Sequence, residues 1–444
     1  MVSTGDHQAI RPADLQVRRL GEARYPSPLA GLLQGRATSQ HYVHESDRVL
    51  LDDTVAMAVE RGCPAGELPS LEPGGPRERL FVDPATTRAG IVTCGGLCPG
   101  LNNVIRGLVL ELDCYGVSDV VGFRNGYRGL VKGDVAARLT REGVSGIQHR
   151  GGTVLGTSRG DQDPAEMAAT LRRMGIGVLF VVGGDGTLRG AERIAQAAEA
   201  VGQPLAVVGV PKTIDNDIPY IDHSFGFQTA CERAADSIRA AHTEAASTAN
   251  GVGLVKLMGR HSGFIACYAA LATADADAVL VPEVPFALDG DGGLLEYLRE
   301  RVERQGHAVV VVAEGAGAEL SGRDGGRDAS GNVRLGDIGR ALGERIAADF
   351  TGHGLELGLR YVDPGYAIRG VAANAYDAVY CLRLAQAAVH AAMAGRTAMV
   401  VGRWHGRFVH LPIGLATGSR NQVDPDGDLW MSVLEATGQP VRFG

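Results

Sequence analysis

The chain has 444 residues, enough for two or three domains, and its 45% hydrophobic and 21% charged residues are ordinary for a globular protein. A net charge of −8 argues against a nucleic-acid partner or an anionic membrane surface. The sequence contains no apolar run of about 18 residues, so we expect no membrane span. Seven cysteines without metal-like pairing, together with an N-terminus that lacks a signal-like apolar core, predict a cytoplasmic protein with reduced thiols.

The first part of the chain carries little pattern. Residues 1–85 show weak periodicity and clusters of proline and glycine, with a short helix predicted at 48–61. We interpret this region as an N-terminal extension that packs on the main body or on a partner subunit.

Strands and helices alternate through the rest of the chain. The predicted strands are 88–93, 117–123, 176–182, 204–210, 253–257, 278–281, 308–313, 359–362 and 398–401. The predicted helices are 102–112, one from the N-cap Asp163 to the stop at Gly175, one ending near 200, 227–246, and 372–393 with a possible break. Residues 317–337 are rich in Gly, Asp and Arg and predict a mobile loop. This alternation predicts an α/β fold with parallel sheets.

Most of the predicted strands end in a short turn that is polar or rich in glycine. Glycine is abundant: it makes up 63 of 444 residues, about 14%, against a usual level of roughly 7%. Charged residues and a glycine in these turns form the candidate site: Gly96, Arg159, Asp185, Asp215, Asp217, Arg260, Glu314 and Arg369. Because parallel strands end at one edge of a sheet, these residues should converge. Glycine turns for phosphates, an acid for Mg²⁺, arginines and a carboxylate base are the parts that phosphoryl transfer needs.

The stretch 210–217 is the sharpest single candidate. Lys212 and Thr213 stand just before the carboxylates Asp215 and Asp217, directly after a buried strand. The set could hold a phosphorylated substrate and take a proton from it. The alternative is a polar turn in which Asp and Asn serve turn chemistry.

Six separated motifs together resemble the 6-phosphofructokinase family, in the family's order, over roughly residues 86 to 420. They lie at 94–102, 151–160, 183–187, 211–217, 258–264 and 314–315. The sequence at 361–369, with the long N-terminal extension, resembles the plant-type and trypanosome-type branch. The resemblance implies two Rossmann-like domains with mostly parallel sheets and an active site in the cleft between them. The implied domains are 86–228 with about 370–405 for ATP, and 229–369 with about 406–444 for the sugar phosphate.

The resemblance also implies a role for each matching residue. Asp215 would be the general base that takes the proton from the 1-hydroxyl of fructose 6-phosphate, and Asp185 would hold Mg²⁺ on the transferring phosphate. Thr213, Arg159 and Arg260 would complete the catalytic set. The residues that would bind ATP are Gly96, Arg159, Gly160, Gly184, Asp185, Gly186 and Thr187. Those that would bind the sugar phosphate are Thr213, Ile214, Asp215, Met258, Gly259, Arg260, Glu314, Arg360, Tyr366 and Arg369.

In members of the family, an arginine at the position of Arg360 binds the sugar phosphate of a neighbouring subunit. The resemblance therefore implies a homo-oligomer, and we expect a tetramer. Gly251 stands where bacterial relatives place a second such arginine.

Two positions bear on the phosphoryl donor. Pyrophosphate-dependent members carry an aspartate at the position of Gly186 and a lysine at that of Lys212. A carboxylate beside Asp185 would crowd and repel the α-phosphate of ATP, so Gly186 favours ATP, whereas Lys212 does not discriminate.

Four alternatives stay open at the level of sequence. The donor could be pyrophosphate, and the acceptor could be sedoheptulose 7-phosphate. The string at 183–187 also occurs in NAD kinases and lipid kinases, which lack the other five motifs. A catalytically inactive, ligand-sensing homologue is the fourth.

Overall fold

The structure is a computed structural model, and it describes residues 10–33, 42–55, 68–320, 322–327 and 333–444. The strands are β1 (Arg18–Arg19), β2 (Tyr25–Pro26), β3 (Val49–Leu50), β4 (Ser70–Pro73), β5 (Arg79–Leu80), β6 (Arg88–Thr93), β7 (Asp119–Phe123), β8 (Val135–Arg138), β9 (Ile176–Gly183), β10 (Ala206–Pro211), β11 (Gly251–Leu257), β12 (Ala278–Leu280), β13 (His307–Ala313), β14 (Arg323–Arg327), β15 (Val333–Leu335), β16 (Gly358–Val362), β17 (Arg396–Thr397), β18 (Met399–Trp404) and β19 (Arg407–Pro412).

The α-helices are α1 (Leu101–Cys114), α2 (Gly126–Lys132), α3 (Pro164–Arg173), α4 (Asp185–Ala200), α5 (Phe227–Ala246), α6 (Phe264–Thr273), α7 (Leu294–Gln305), α8 (Ile338–Gly352), α9 (Gly365–Arg369), α10 (Ala375–Met393), α11 (Ile413–Gly418) and α12 (Asp428–Thr437). Three short 3₁₀ helices span Pro12–Leu15, Pro28–Leu33 and Ile147–His149.

The larger sheet has nine strands in the order β3-β4-β19-β18-β10-β9-β6-β7-β8. Its centre, from β18 to β7, is parallel, and both ends are antiparallel. Strand β9 is apolar almost throughout because helices cover both faces of the sheet: α1 and α10 pack on one side and α3 and α4 on the other. Pairing of Pro211 with Gly183, and of Thr93 with Val182, brings the carboxyl ends of β10, β9 and β6 side by side.

The smaller sheet has the order β12-β13-β11-β16 and is parallel throughout. Leu257 pairs with Ala313, so β11 and β13 also end side by side. Helix α5 packs on this sheet and also contacts α10 of the larger unit, so one apolar core runs through both units. The α/β fold with two parallel-rich sheets is confirmed.

The segment before β6 packs on the main body. Strand β1 pairs with β17, and β4 pairs with β19 and so extends the larger sheet. Buried charges reinforce this contact: Glu72 of β4 binds Arg396 of β17 and Arg77. Within the predicted helix at 48–61, Val49–Leu50 instead forms β3, so the prediction is wrong there. Val55 is helical, and residues 56–61 lie outside the described part.

The boundary placed at 406 in the C-terminal part needs one correction. Strand β19 pairs with β18 in the larger sheet, so 407–412 does not belong with the smaller sheet, to which 406–444 was assigned. A tight turn after Trp404 returns the chain antiparallel to β18 and buries Val409 and Leu411. Helix α12 does pack against α6 of the smaller unit. The division into two domains is otherwise a prediction.

Several further elements differ from the sequence-based expectation. Helix α10 runs unbroken from Ala375 to Met393, and the described parts of 317–337 include the antiparallel pair β14–β15. The periodicity did not reveal α6, because it is almost wholly apolar and packed on most sides. In the described part of the chain, none of the helices has the length and apolar character needed to cross a bilayer.

Candidate active site

The turn after β6 is bonded to the loop that precedes α3. The amide of Gly95 donates to the carbonyl of Ser158 at 3.0 Å, and the hydroxyl of Thr157 donates to the carbonyl of Gly95 at 2.7 Å. A Cβ placed on Gly96 would lie 3.4 Å from a guanidinium nitrogen of Arg159. Gly96 and Arg159, which were both predicted to bind the nucleotide, therefore lie side by side.

The turn from β9 into α4 presents Asp185 at the start of a helix. Gly183 has no room for a side chain, because a Cβ there would lie 2.4 Å from Thr187 Cγ2. Gly184 is the N-cap and Asp185 the first helical residue, so free amides and the positive end of the helix dipole face this turn. Gly186 differs from Gly183, since a Cβ on it would meet no atom of the described residues within 4 Å. Gly160, with φ of +96°, is likewise open.

The loop after β10 is folded tightly around Thr213. The hydroxyl of Thr213 accepts a hydrogen bond from the amide of Asp215 at 3.2 Å and donates one to Asp217 Oδ1 at 2.6 Å. Asn216 takes a φ of +58°, and its side-chain oxygen accepts from the amide of Ser224 at 2.7 Å. These bonds lock the loop that carries both carboxylates, and the buried side chain of Ile214 anchors it in the core.

Asp215 is the most perturbed acid of the site. Its Oδ1 is buried and, within the described part of the chain, has no hydrogen-bond partner. Burial, followed by the nearby charges of Asp217 and Glu314, raises its pKa to about 8, although Arg420 and Arg260 act against the rise. An unpartnered, buried carboxyl oxygen is costly for the fold and is typical of a group kept for chemistry.

Lys212 is buried at the same edge. A Cβ on Gly95 would lie 3.5 Å from its ammonium nitrogen. Burial lowers the pKa of Lys212, and the neighbouring Arg159 acts in the same direction. The amide of Lys212 continues the sheet by donating to the carbonyl of Gly183 at 2.9 Å.

The smaller sheet supplies the opposite wall. The amide of Glu314 donates to the carbonyl of Leu257 at 2.9 Å, and Glu314 Oε1 lies 3.9 Å from Arg260 Nε. Gly259 has a φ of +127°, and a Cβ there would lie 2.5 Å from the carbonyl oxygen of Ser262. The Ser262 hydroxyl donates to the carbonyl of Asp215 at 3.2 Å and so joins the two walls. Burial raises the pKa of Glu314 against the charge of Arg260.

The remaining predicted sugar-phosphate residues are partly buried or exposed. Met258 is partly buried against the core. Tyr366 is 83% exposed, and the guanidinium of Arg369 lies 4.7 Å from the centre of its ring. Arg360 Nε lies 3.5 Å from Glu244 Oε2 on α5. Its predicted role in a neighbouring subunit stays a prediction.

Sequence reasoning missed Arg420. Its guanidinium binds Asp217 Oδ2 and lies 3.0 Å from Asp185 Oδ2, so it joins the acids after β9 and β10. Burial raises the pKa of Asp185, and the charge of Arg420 opposes that rise. The signal was weak, because Arg420 follows a short helix near the C-terminus rather than a predicted strand.

Comparison with known proteins places this geometry in a family. The family model described as Phosphofructokinase matches residues 88–392. The ATP-dependent 6-phosphofructokinase of Amycolatopsis methanolica is 60% identical over 441 residues, covering 97% of this chain and 96% of that protein. ATP-dependent 6-phosphofructokinase 7 of Arabidopsis thaliana is 44% identical, covering 95% of this chain and 86% of its own.

A solved structure supports the fold. The pyrophosphate-dependent phosphofructokinase of Marinobacter aquaeolei superimposes with a TM-score of 0.65 at 22% identity, covering 81% of this chain and 92% of that one. The predicted resemblance, including that to the plant branch, is confirmed, and this chain belongs to the phosphofructokinase family.

Proposed function

We propose that this chain is an ATP-dependent 6-phosphofructokinase that transfers the γ-phosphoryl group of ATP to the 1-hydroxyl of fructose 6-phosphate. The observation that carries the proposal is the buried carboxyl oxygen of Asp215, which has no hydrogen-bond partner in the part of the chain that the structure describes. It lies between a phosphate-type glycine turn and the Arg260–Glu314 wall. The names of relatives up to 60% identical support the same donor and acceptor. Turnover itself separates this proposal from an inactive, ligand-sensing homologue.

Asp215 would act as the general base. The 1-hydroxyl oxygen attacks the γ-phosphorus while its proton passes to the Asp215 carboxylate, and the bond from the γ-phosphorus to the bridging oxygen of ADP breaks. Because the pKa of Asp215 is raised to about 8, the carboxyl is mostly protonated near neutral pH. The positive charge of Mg²⁺ would lower this pKa and so favour the ionised base.

The donor half of the site would be built from backbone amides and arginine. Gly96, Gly160 and the turn 184–187 leave space in which amides at the start of α4 can bind phosphate oxygens. Arg159, beside Gly96, would bridge the donor and the acceptor and offset the charge of the transition state.

The acids fit a magnesium site. Asp185 and Asp217 present carboxylate oxygens, the ligand type that Mg²⁺ prefers, to a single cationic group. No group of three or more His, Cys, Asp or Glu suited to a metal occurs among the described residues. A site that shares the metal with substrate phosphates needs only one or two carboxylates, so this set suffices. When bound, Mg²⁺ neutralises charge on the transferring phosphate.

The acceptor would lie across the second wall. Arg260 and Glu314 face the Asp215 loop, and Arg369 contributes positive charge close to Glu314. Met258, Gly259 and Thr213 would orient the sugar, and Tyr366 would border its phosphate. Sedoheptulose 7-phosphate is the competing acceptor.

We further propose an oligomer, a tetramer, with a shared site, located in the cytoplasm. Arg360 would then bind the sugar phosphate of a neighbouring subunit. Mixing inactive Asp215→Asn and Arg360→Ala subunits should restore part of the turnover, because some sites then contain neither change. No recovery after confirmed subunit exchange would contradict a shared site.

Steady-state kinetics on the purified chain test the proposal. ATP and pyrophosphate would each be offered with fructose 6-phosphate and with sedoheptulose 7-phosphate, at a fixed Mg²⁺ excess. We expect the highest kcat/KM for ATP with fructose 6-phosphate. Turnover with pyrophosphate alone would overturn the donor, and a preference for the seven-carbon sugar would overturn the acceptor.

A further inference from the structure

The C-terminal segment 420–423 crosses the cleft and contacts both of its walls. The amide of Asn421 donates to the carbonyl of Asp217 at 2.8 Å. The side-chain amide of Gln422 donates to the carbonyl of His261 at 2.8 Å, and the amide of Val423 donates to Glu283 Oε1 at 2.8 Å. Glu283 Oε1 also accepts from the amide of Gly263 at 2.9 Å. The backbone beside Arg420 is therefore fixed independently of the Arg420 side chain.

The side chain of Arg420 spans the two acids that suit a metal. It binds Asp217 through one terminal nitrogen and lies 3.0 Å from Asp185 through the other. The side chain of Asp217 is only 7% exposed and that of Asp185 19%, whereas that of Arg420 is 37% exposed. The guanidinium can thus leave toward solvent while both carboxylates stay in place.

We propose that Arg420 is a positioning residue whose guanidinium holds Asp185 and Asp217 in the metal-free enzyme and is released when the divalent cation binds. The inference rests on the magnesium site of the proposed function. Two buried carboxylates repel one another and need a counter-charge. Arg420 supplies that charge until the metal replaces it, so metal and guanidinium compete for the same oxygens.

Metal binding without nucleotide tests the competition directly. Mn²⁺ would be titrated into the full chain and followed by its electron paramagnetic resonance signal, for the wild type, Arg420→Gln, Arg420→Lys and Arg189→Gln. Arg189 is the matched control. Its positive charge also acts on Asp185, but its guanidinium donates to the carbonyl of Thr417 at 3.5 Å. Mn²⁺ should bind Arg420→Gln about tenfold more tightly than the wild type, since the competing cation is gone.

Thermal unfolding gives a second readout. In a metal chelator, Arg420→Gln should unfold at a lower temperature than the wild type, and Mn²⁺ should restore it more than NaCl of equal ionic strength. The unfolding temperature of Arg420→Lys should lie between those of Arg420→Gln and the wild type. Its ammonium keeps the positive charge but cannot bind two carboxylates with the planar geometry of a guanidinium. Equal or weaker Mn²⁺ binding by Arg420→Gln, or an equal effect of Arg189→Gln, would overturn the inference. If the wild type showed no ATP-dependent turnover, the proposed function would be overturned instead.

Discussion

The Asp215 side chain combines burial, negative neighbours and an oxygen, Oδ1, that has no hydrogen-bond partner among the described residues. Burial and the negative neighbours raise the pKa of this carboxyl, so the fold does not stabilise its ionised form. A structural acid would be paired, as Asp377 is by the amides of Gly226 and Thr229. Asp215 is therefore better explained by what it does to a ligand than by what it does for the fold.

Replacing Asp215 with asparagine should have opposite effects on catalysis and on stability. We expect kcat to fall by about 10²–10⁴-fold, the usual contribution of general-base assistance, with a smaller change in substrate binding. Because the folded-state pKa lies above the ordinary value, ionisation of Asp215 removes stability as pH rises toward about 8. Asp215→Asn should therefore unfold at a higher temperature than the wild type, and the gap should widen from about pH 4 to about pH 8.

Calorimetric scans at several pH values, with steady-state kinetics beside them, measure both effects. The reference is Asp222→Asn, an acid that accepts backbone bonds from His405 and Gly406 and should lose stability. A pH-independent stability gap for Asp215→Asn would show that its carboxyl is not perturbed as described.

Gly186 gives a donor-selection prediction. A Cβ there would meet no atom within 4 Å in the described part of the chain, and an acid in the first turn of a helix is favourable, so Gly186→Asp should fold normally. The new carboxylate would repel the α-phosphate of ATP. We expect kcat/KM for ATP to fall at least about tenfold while that for pyrophosphate falls less or rises. Gly186→Ala, which adds bulk without charge, should keep most ATP turnover, and equal losses in both variants would point to crowding alone.

At the scale of elements, the turn from β9 into α4 depends on a close approach of backbone and side chain. Gly183→Ala would place its Cβ 2.4 Å from Thr187 Cγ2, so the first turn of α4, and Asp185 with it, must move. We expect a loss of about 1–3 kcal/mol in the free energy of unfolding and a weaker response to Mg²⁺.

The matched control lies in the same strand. A Cβ on Gly177 would make an ordinary 3.8 Å contact with Thr87, so Gly177→Ala should change stability little. Urea denaturation and Mg²⁺ titration of turnover compare the two variants. Similar stability for both would contradict a steric requirement at Gly183.

Those elements also show what sequence can and cannot predict. The strand that ends at Gly183 and the helix that starts at Asp185 were predictable, because apolar runs and glycine punctuation are local signals. Arg420 was not, since it lies 203 positions from Asp217 and only the fold brings them together. Strand β19 was missed for a related reason, as its pairing depends on a turn whose direction periodicity does not reveal.

At the scale of the whole molecule, a buried charge network fastens the N-terminal segment to the body. Glu72 on β4 lies 2.6 Å from Arg396 and 2.8 Å from Arg77, and Glu45 lies 2.8 Å from Arg396. The Glu72, Arg77 and Arg396 side chains are all less than 10% exposed. Burial disfavours the ionised form of Glu72, but His410 and Arg396 outweigh it and hold the pKa of Glu72 well below its ordinary value.

Substituting Glu72 by glutamine should leave two buried guanidinium groups without their shared carboxylate. Breaking a buried ion pair from one side typically costs about 3–5 kcal/mol, and we expect a loss of this order in the free energy of unfolding. Because the folded-state pKa is depressed, the stability that Glu72 supplies is present above its ordinary pKa and is lost as pH falls below about 4.5. The difference between the wild type and Glu72→Gln should therefore be full near neutral pH and shrink in acid.

The comparison variant is Glu199→Gln, whose partner Arg18 also belongs to the N-terminal segment. That pair is 3.4 Å apart and largely exposed, with 49% and 74% of the two side chains accessible, so its loss should cost under about 1 kcal/mol. Urea denaturation at several pH values ranks the two. A Glu72→Gln cost as small as that of Glu199→Gln, or one that grows in acid, would mean that apolar contacts rather than these charges hold the segment. A large cost confined to Glu72→Gln would make the N-terminal segment part of the folded unit, because its attachment and the stability of β17 to β19 would then depend on the same buried carboxylate.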